Sequence, residues 1–266
     1  MAAPTPVSAL VHSSTLVTAG VYLLIRFYPV IRGFKALLDG LLILSSLTIV
    51  LAGLAAFSEM DFKKIIAYST LRQLGVILVA LGLGRPLLSF FHLLSHAIFK
   101  ALIFVCAGTF IFYHQHGQDL RVMGGLTSFL PVTQLGLVRS NLALCGFPFL
   151  SGFYSKDPVY ELRVNGRFPF IAGRFMALGL LSTRVYSVRA MLLSQISPAS
   201  QISLRNLSNN SFFFKLPVFL LGALAVVWGC SLNWILLPPV SIRPITGCLG
   251  VLPILLFLAA VVIYIG

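Results

Sequence analysis

The chain has 266 residues, 58% of them hydrophobic and only 9% charged, with a mean hydropathy of +0.99. A soluble domain carries about 25% charged residues, so this composition excludes an ordinary globular fold and assigns an all-α, polytopic membrane helix bundle. The formal charge is +13, from 19 Lys and Arg against 6 Asp and Glu, but the basic residues stand singly at helix ends and in loops. That scatter suits lipid headgroups or acidic subunit surfaces, and excludes a nucleic-acid partner.

In chain order, Met1-Ala-Ala-Pro4-Thr5-Pro6 leads directly into a first span over residues 7–27, with His12 near its start. A second span covers 37–57 and ends in the charged knot of Glu59, Asp61, Lys63 and Lys64, read as a solvated or interfacial ion cluster. The third runs over 65–83, its first turns made polar by Tyr68, Ser69, Thr70, Arg72 and Gln73. Gly84-Arg85-Pro86 turns the chain into a fourth span over 87–112. After a polar loop with His114, His116, Asp119 and Arg121, the apolar stretch 129–162 is too long for one span. It is interrupted at Gly146-Phe147-Pro148, where proline predicts two half-helices with exposed ends, the second starting near Phe149. Spans follow at 167–191, with Arg174, Arg184 and Arg189 placed to snorkel, and at 212–237 and 245–265, separated from the first by a Ser- and Asn-rich loop. The total is eight membrane elements, one of them broken, in a single integral membrane domain over 1–266. Loop charges divide too evenly to orient it.

The fourth span carries His92-Leu-Leu-Ser-His96-Ala-Ile-Phe-Lys100. Spacings of four stack the three ionisable groups on one helix side, drifting about 40° per step over roughly 12 Å. Each intramembrane charge costs on the order of 2.5–3.5 kcal/mol by insertion scales, so the row demands a reason. Imidazole accepts on one nitrogen and donates from the other, and lysine gives up a proton when desolvated, so the row reads as a proton path. The competing reading is hydrogen bonding to neighbouring helices. Lys156-Asp157, just past the helix break, is a second candidate, either a proton gate or an interfacial ion pair. His12, among Ser13, Ser14 and Thr15, stands where hydroxyls extend a relay or where a histidine is simply satisfied within the bundle.

The four cysteines (Cys106, Cys145, Cys230 and Cys248) sit apart in apolar segments without disulfide or metal spacing. His114 and His116 have Asp119 alone for company, too few ligands for a metal. No phosphate loop or redox-cofactor motif occurs, so the expectation is a chain without a cofactor of its own.

Several of these stretches together resemble one family. Pro4-Thr-Pro-Val-Ser-Ala-Leu-Val-His12 and its continuation to Tyr22, Asp61-Phe-Lys-Lys-Ile-Ile-Ala-Tyr-Ser-Thr70, His92 to Lys100, and Gly152-Phe-Tyr-Ser-Lys156-Asp157 are similar, in the same order, to the chain 5 family of mitochondrial NADH:ubiquinone oxidoreductase, respiratory complex I. The resemblance covers about residues 4–160. It implies an antiporter-like subunit of the membrane arm, pumping protons while flavin, iron–sulfur clusters and ubiquinone act in partner subunits of the mitochondrial inner membrane. It implies that His12, His92, His96 and Lys100 belong to a central row of buried groups, with Lys156 and Asp157 as its exit-side pair. It implies an inverted-repeat fold, with 1–83 ending one repeat and starting the next, 84–191 carrying the second repeat with its broken helix, and 192–266 a loop and two last spans. Members of the family carry further helices before the Pro-Thr-Pro stretch, so the resemblance also implies a polypeptide supplying that first half. Two rivals remain at this point: the large subunit of multisubunit sodium/proton antiporters, which commonly has Lys where Thr18 stands here, and a non-pumping structural fragment.

Overall fold

The structure, a computed structural model, describes residues 7–114, 117–124, 130–162, 170–195, 212–236 and 261–262. Helices form wherever the apolar runs are long. We label them α1 (Ser8–Arg26), α2 (Lys35–Ser58), α3 (Phe62–Gly82), α4 (Pro86–Tyr113), α5 (Pro131–Cys145), α6 (Ser151–Leu162), α7 (Phe170–Gln195) and α8 (Phe212–Leu236). The first eight residues of α1, Ser8–Thr15, wind as a π-helix before the α-helix takes over at Leu16. Among the described residues six helices are long and apolar enough to cross a membrane, namely α1 to α4, α7 and α8. With the broken pair α5 and α6, helices stand at seven of the eight expected places. The eighth, over 245–265, lies outside the described residues apart from two helical positions.

Glycine, more than proline, punctuates the chain. At Gly84 and Gly146 the backbone takes φ +78°, the left-handed conformation that costs other residues a Cβ clash. After α5, Gly146 N donates to Ala143 O at 3.1 Å and Phe147 N to Leu142 O at 3.0 Å, the two bonds of a Schellman closure. After α3, Gly84 N donates to Leu81 O and Arg85 N to Ala80 O in the same pattern. The interruption expected at Pro148 is therefore made two residues earlier by Gly146. Phe149 then adopts φ 67°, and the second half-helix starts at Ser151, slightly later than the sequence suggested.

The helix α4, about 42 Å long by its 28 residues, is the hub. It packs against α1, α3, α5, α6 and α8, and α2 lies outside α3 and α7. The main core gathers Phe62, Phe99, Leu102, Phe110, Leu137 and Tyr186 around it. Its aqueous end is covered by the loop 117–124, which is pinned to the α2–α3 corner by Phe62 N donating to Gln118 O and Leu120 N to Met60 O, with Asp61 and Asp119 bridged. At that corner Lys64 pairs with Asp61 at 2.9 Å and Glu59 at 3.6 Å, the ion cluster expected there, while Lys63 is buried.

Two arginines expected to snorkel do not. Arg189 is buried and donates to Ala56 O, Phe57 O and Glu59 O, capping the C-terminal carbonyls that α2 leaves without helical partners. Arg184 is buried as well, and Arg174 is exposed. Satisfying three orphan carbonyls holds a guanidinium inside more firmly than a return to headgroups would.

Candidate functional site

His92, His96 and Lys100 are all fully buried on α4. His92 is held at both ring nitrogens. Its Nε2 lies 3.3 Å from Gln73 Oε1 of α3, and its Nδ1 lies 2.9 Å from Ser155 Oγ of α6, a hydroxyl that also bonds Ser151 O at 3.2 Å. The imidazole is thus set between two neighbouring helices, bonded at both nitrogens.

The His96 ring lies 6.4 Å from that of His92, centroid to centroid, and meets Phe99 edge-on at 5.4 Å. Neither His96 nitrogen has a hydrogen-bond partner among the described residues. Buried polar atoms are normally paired, and a histidine left open on both nitrogens is equipped to take a proton from one side and pass it on the other. Lys100 donates to Ser69 Oγ and, at 3.4 Å, to Ile66 O, both on α3. The Ser69 hydroxyl is oriented in turn by its own bond to Ile66 O at 2.7 Å.

Lys156, on α6, is buried and donates to Leu144 O in the last turn of α5. Carbonyls there have no further turn to bond and form the negative end of the half-helix, so the helix break supplies the counter-charge that Lys156 needs. Its ammonium also stands 5.9 Å above the Phe99 ring, the ring that His96 touches. Its charge acts on His92, His96 and Lys100 alike. Asp157 reaches back toward Gly146 at the break.

The structure therefore brings together four of the six candidate residues, His92, His96, Lys100 and Lys156, with Asp157 beside the last. The backbone of His12 lies in the π-helical turn packed against α4, a distortion frequent at functional sites, and its side chain lies outside the described residues. Three groups escaped the sequence reading: Gln73, Ser69 and Ser155. Ser69 and Gln73 were read as part of a polar entrance to a span, yet both are buried at depth. Their spacing of four on α3, antiparallel to the His92–Lys100 row, is the signal that pairs them with it.

Residues 1–182 match the profile of the NADH:quinone oxidoreductase/Mrp antiporter transmembrane family. The chain belongs to that family. Within it, the chain is 48% identical over 236 residues to a protein named NADH-ubiquinone oxidoreductase chain 5 from Lumbricus terrestris, covering 89% of this chain and 41% of that one. It is 41% identical over 238 residues to the protein of that name from Myxine glutinosa, covering 90% and 39%. The fold matches a chain in the structure of the Mrp complex from Dietzia sp. DQ12-45-1b with a TM-score of 0.75 at 26% identity, covering 98% of this chain and 31% of that one. The antiporter-like chain described here thus spans about two-fifths of the length of the chain 5 relatives it matches.

The aqueous end of α4 holds a separate feature. His114, buried and without a hydrogen-bond partner at either ring nitrogen among the described residues, lines a cavity of ≈ 350 Å³ with Asp61, Gln118, Asp119 and Met123. Burial pushes its imidazole below the ordinary histidine range. His116 lies outside the described residues, and among those described no group of three or more His, Cys, Asp or Glu is arranged to hold a metal.

Proposed function

We propose that this chain is a proton-translocating, antiporter-like membrane-arm subunit of NADH:ubiquinone oxidoreductase, moving protons as electrons pass from NADH to ubiquinone in other subunits. The observation that carries the reading is the buried row itself. His92, His96 and Lys100 are joined through Phe99 to a Lys156 seated on the end of a broken helix, and hydroxyls stand at both ends of the row. Protons repel one another at these separations in a low-dielectric interior, so the groups exchange a limited number of protons as one coupled set. Lys156 can swing between the α5 carbonyls and the interior of the row, which makes it the gate. Asp157 beside it and His12 at the π-helical turn continue the path on either side.

In this reading the flavin, the iron–sulfur clusters and ubiquinone belong to partner subunits. The chain works in the mitochondrial inner membrane, among other membrane-arm subunits and lipids such as cardiolipin. The unit also includes what the remaining length of the relatives supplies, whether in the same polypeptide or another. The names of the chain 5 relatives support that setting. A sodium/proton antiporter is the second reading, favoured by the fold shared with the Mrp complex.

The test is Lys100→Met and Lys156→Met in the assembled complex, reconstituted in vesicles and driven by NADH and ubiquinone. Methionine fills similar volume without charge, so assembly persists. Proton uptake is expected to fall by about tenfold or more. Undiminished uptake in both variants would make the chain a scaffold. Uptake that requires sodium and ignores NADH would select the antiporter instead.

A further inference from the structure

Arg72 stands at the middle of α3, within a span, and is 1% exposed. Its side chain runs between α2 and α7 where both helices are reduced to glycine, at Gly53 and Gly179. A Cβ on Gly179 would sit 3.6 Å from Arg72 Nη2, and one on Gly53 would sit 3.8 Å from Arg72 Cδ. The guanidinium donates to Gly179 O, and the Tyr186 hydroxyl lies beside it. Among the described residues no carboxylate forms an ion pair with it. An unneutralised guanidinium at this depth is expensive, and arginine is in general a fixed positive charge rather than a titrating one.

The placement joins this charge to the relay. Arg72 is next in sequence to Gln73, which holds His92, and one helical turn from Ser69, which holds Lys100. Its charge reaches both Lys100 and Lys156. The other groups facing Lys156 are His92, His96 and Lys100 from α4, Cys145 from α5, Arg184 from α7 and Asp157 on its own helix. Each of those histidines, lysines, thiols and carboxylates changes charge when it titrates, and Arg184, which acts on Lys156 and Cys145, is not among the charges acting on Lys100. Arg72 is the arginine whose charge acts on both Lys100 and Lys156.

We propose that Arg72 is a positioning residue of the proton relay, a permanent positive charge in the glycine slot of α2 and α7 that sets the pH range over which Lys100 and Lys156 exchange protons. The inference rests on the relay reading above and adds a residue to it. The competing role is a plain clamp between α3 and α7 through Gly179 O.

The experiment measures NADH-driven proton uptake from pH 6 to 9 in vesicles carrying the assembled complex, with NADH oxidation followed in parallel. Arg72→Gln keeps a donor for Gly179 O and removes the charge. Arg72→Lys keeps a charge. Ser182→Asp, beside the same slot, leaves Arg72 in place and offsets it. The alkaline limb of the uptake profile is expected to move up by about half to one pH unit in Arg72→Gln and Ser182→Asp, and to stay near its original place in Arg72→Lys. A clamp predicts lower amplitude at every pH with no movement of the limb, and that result in any assembled neutralising variant overturns the proposal. Loss of assembly in both neutralising variants also assigns Arg72 to structure and overturns it. Lys100→Met separates the two levels: if it leaves uptake intact the relay reading falls, and if it abolishes uptake while the Arg72→Gln limb stays put only the present inference falls.

Discussion

His114 shows how one residue can be stabilising at one pH and costly at another. It is buried at the aqueous end of α4, its nitrogens have no partners among the described residues, and burial holds its proton affinity below the ordinary range. The unfolded chain, with histidine near its ordinary value of about 6.5, binds that proton more readily than the folded one does. Stability contributed at this site is therefore present above about pH 6.5 and is lost as pH falls through it. Hydrogen exchange of residues 117–124 should accelerate between pH 7.5 and 5.5 beyond the intrinsic pH dependence, and His114→Phe should remove the excess. Equal protection at both values would show that Asp61 and Asp119 already compensate the charge. His92 makes the opposite case, since both its nitrogens are held by neighbouring helices. The sequence sets His92 in an apolar span and His114 in a polar loop, yet both are buried. Partners on α3 and α6 separate them, and no spacing along α4 contains that information.

The helix break is an arrangement of two consecutive carbonyls. Ala143 O receives Gly146 N and abuts Gly152, while Leu144 O receives Lys156. A Cβ at Gly152 would run into the Ala143 carbonyl, so only glycine lets α6 start so close to the end of α5. Gly152→Ala should push α6 away, detach Lys156 from Leu144 O and lower stability by roughly 1–3 kcal/mol, with proton uptake lost. Gly146→Ala should cost about 1–2 kcal/mol through its left-handed φ and leave the α5–α6 crossing, and much of the uptake, in place. Gly20→Ala, where a Cβ meets nothing within 4 Å, is the control. Thermal unfolding of the complex together with uptake distinguishes the three. If Gly152→Ala pumps normally, the crossing does not seat Lys156. The sequence located this break correctly but through the wrong residue. Pro148 is the more visible signal, yet a helix whose C-terminus is closed by a Schellman pair has ended before the proline arrives.

At the scale of the whole molecule, what was legible followed one rule. Features that repeat along a single helix, such as the His92, His96, Lys100 row, the lengths of the spans and the glycine–proline punctuation, could be read in one dimension. Features made by a second helix could not. Arg189 and Arg72 looked like ordinary basic residues until α2 and α7 were placed beside them, and Ser155 became a site residue only when α6 met α4. The last span described, α8, is the extreme case, since its sequence reads as nearly featureless. It nevertheless packs along α4, α5 and α6. Val218 meets Gly136 of α5, and Gly229 lies against the backbone of Ser151, the first residue of the second half-helix. A side chain at Gly229 has nowhere to go but into that backbone, so α8 acts as the wall that fixes where α6 begins. Gly222 on the same helix has only the end of Arg139 within reach, at 3.8 Å. Gly229→Val should therefore disturb the position of Lys156 from a helix that contributes nothing to the chemistry, cutting proton uptake severalfold or preventing assembly, while Gly222→Val should be tolerated. Comparable uptake in the two variants would mean that the broken helix is held by α4 and α5 alone, with α8 no more than a lipid-facing cover.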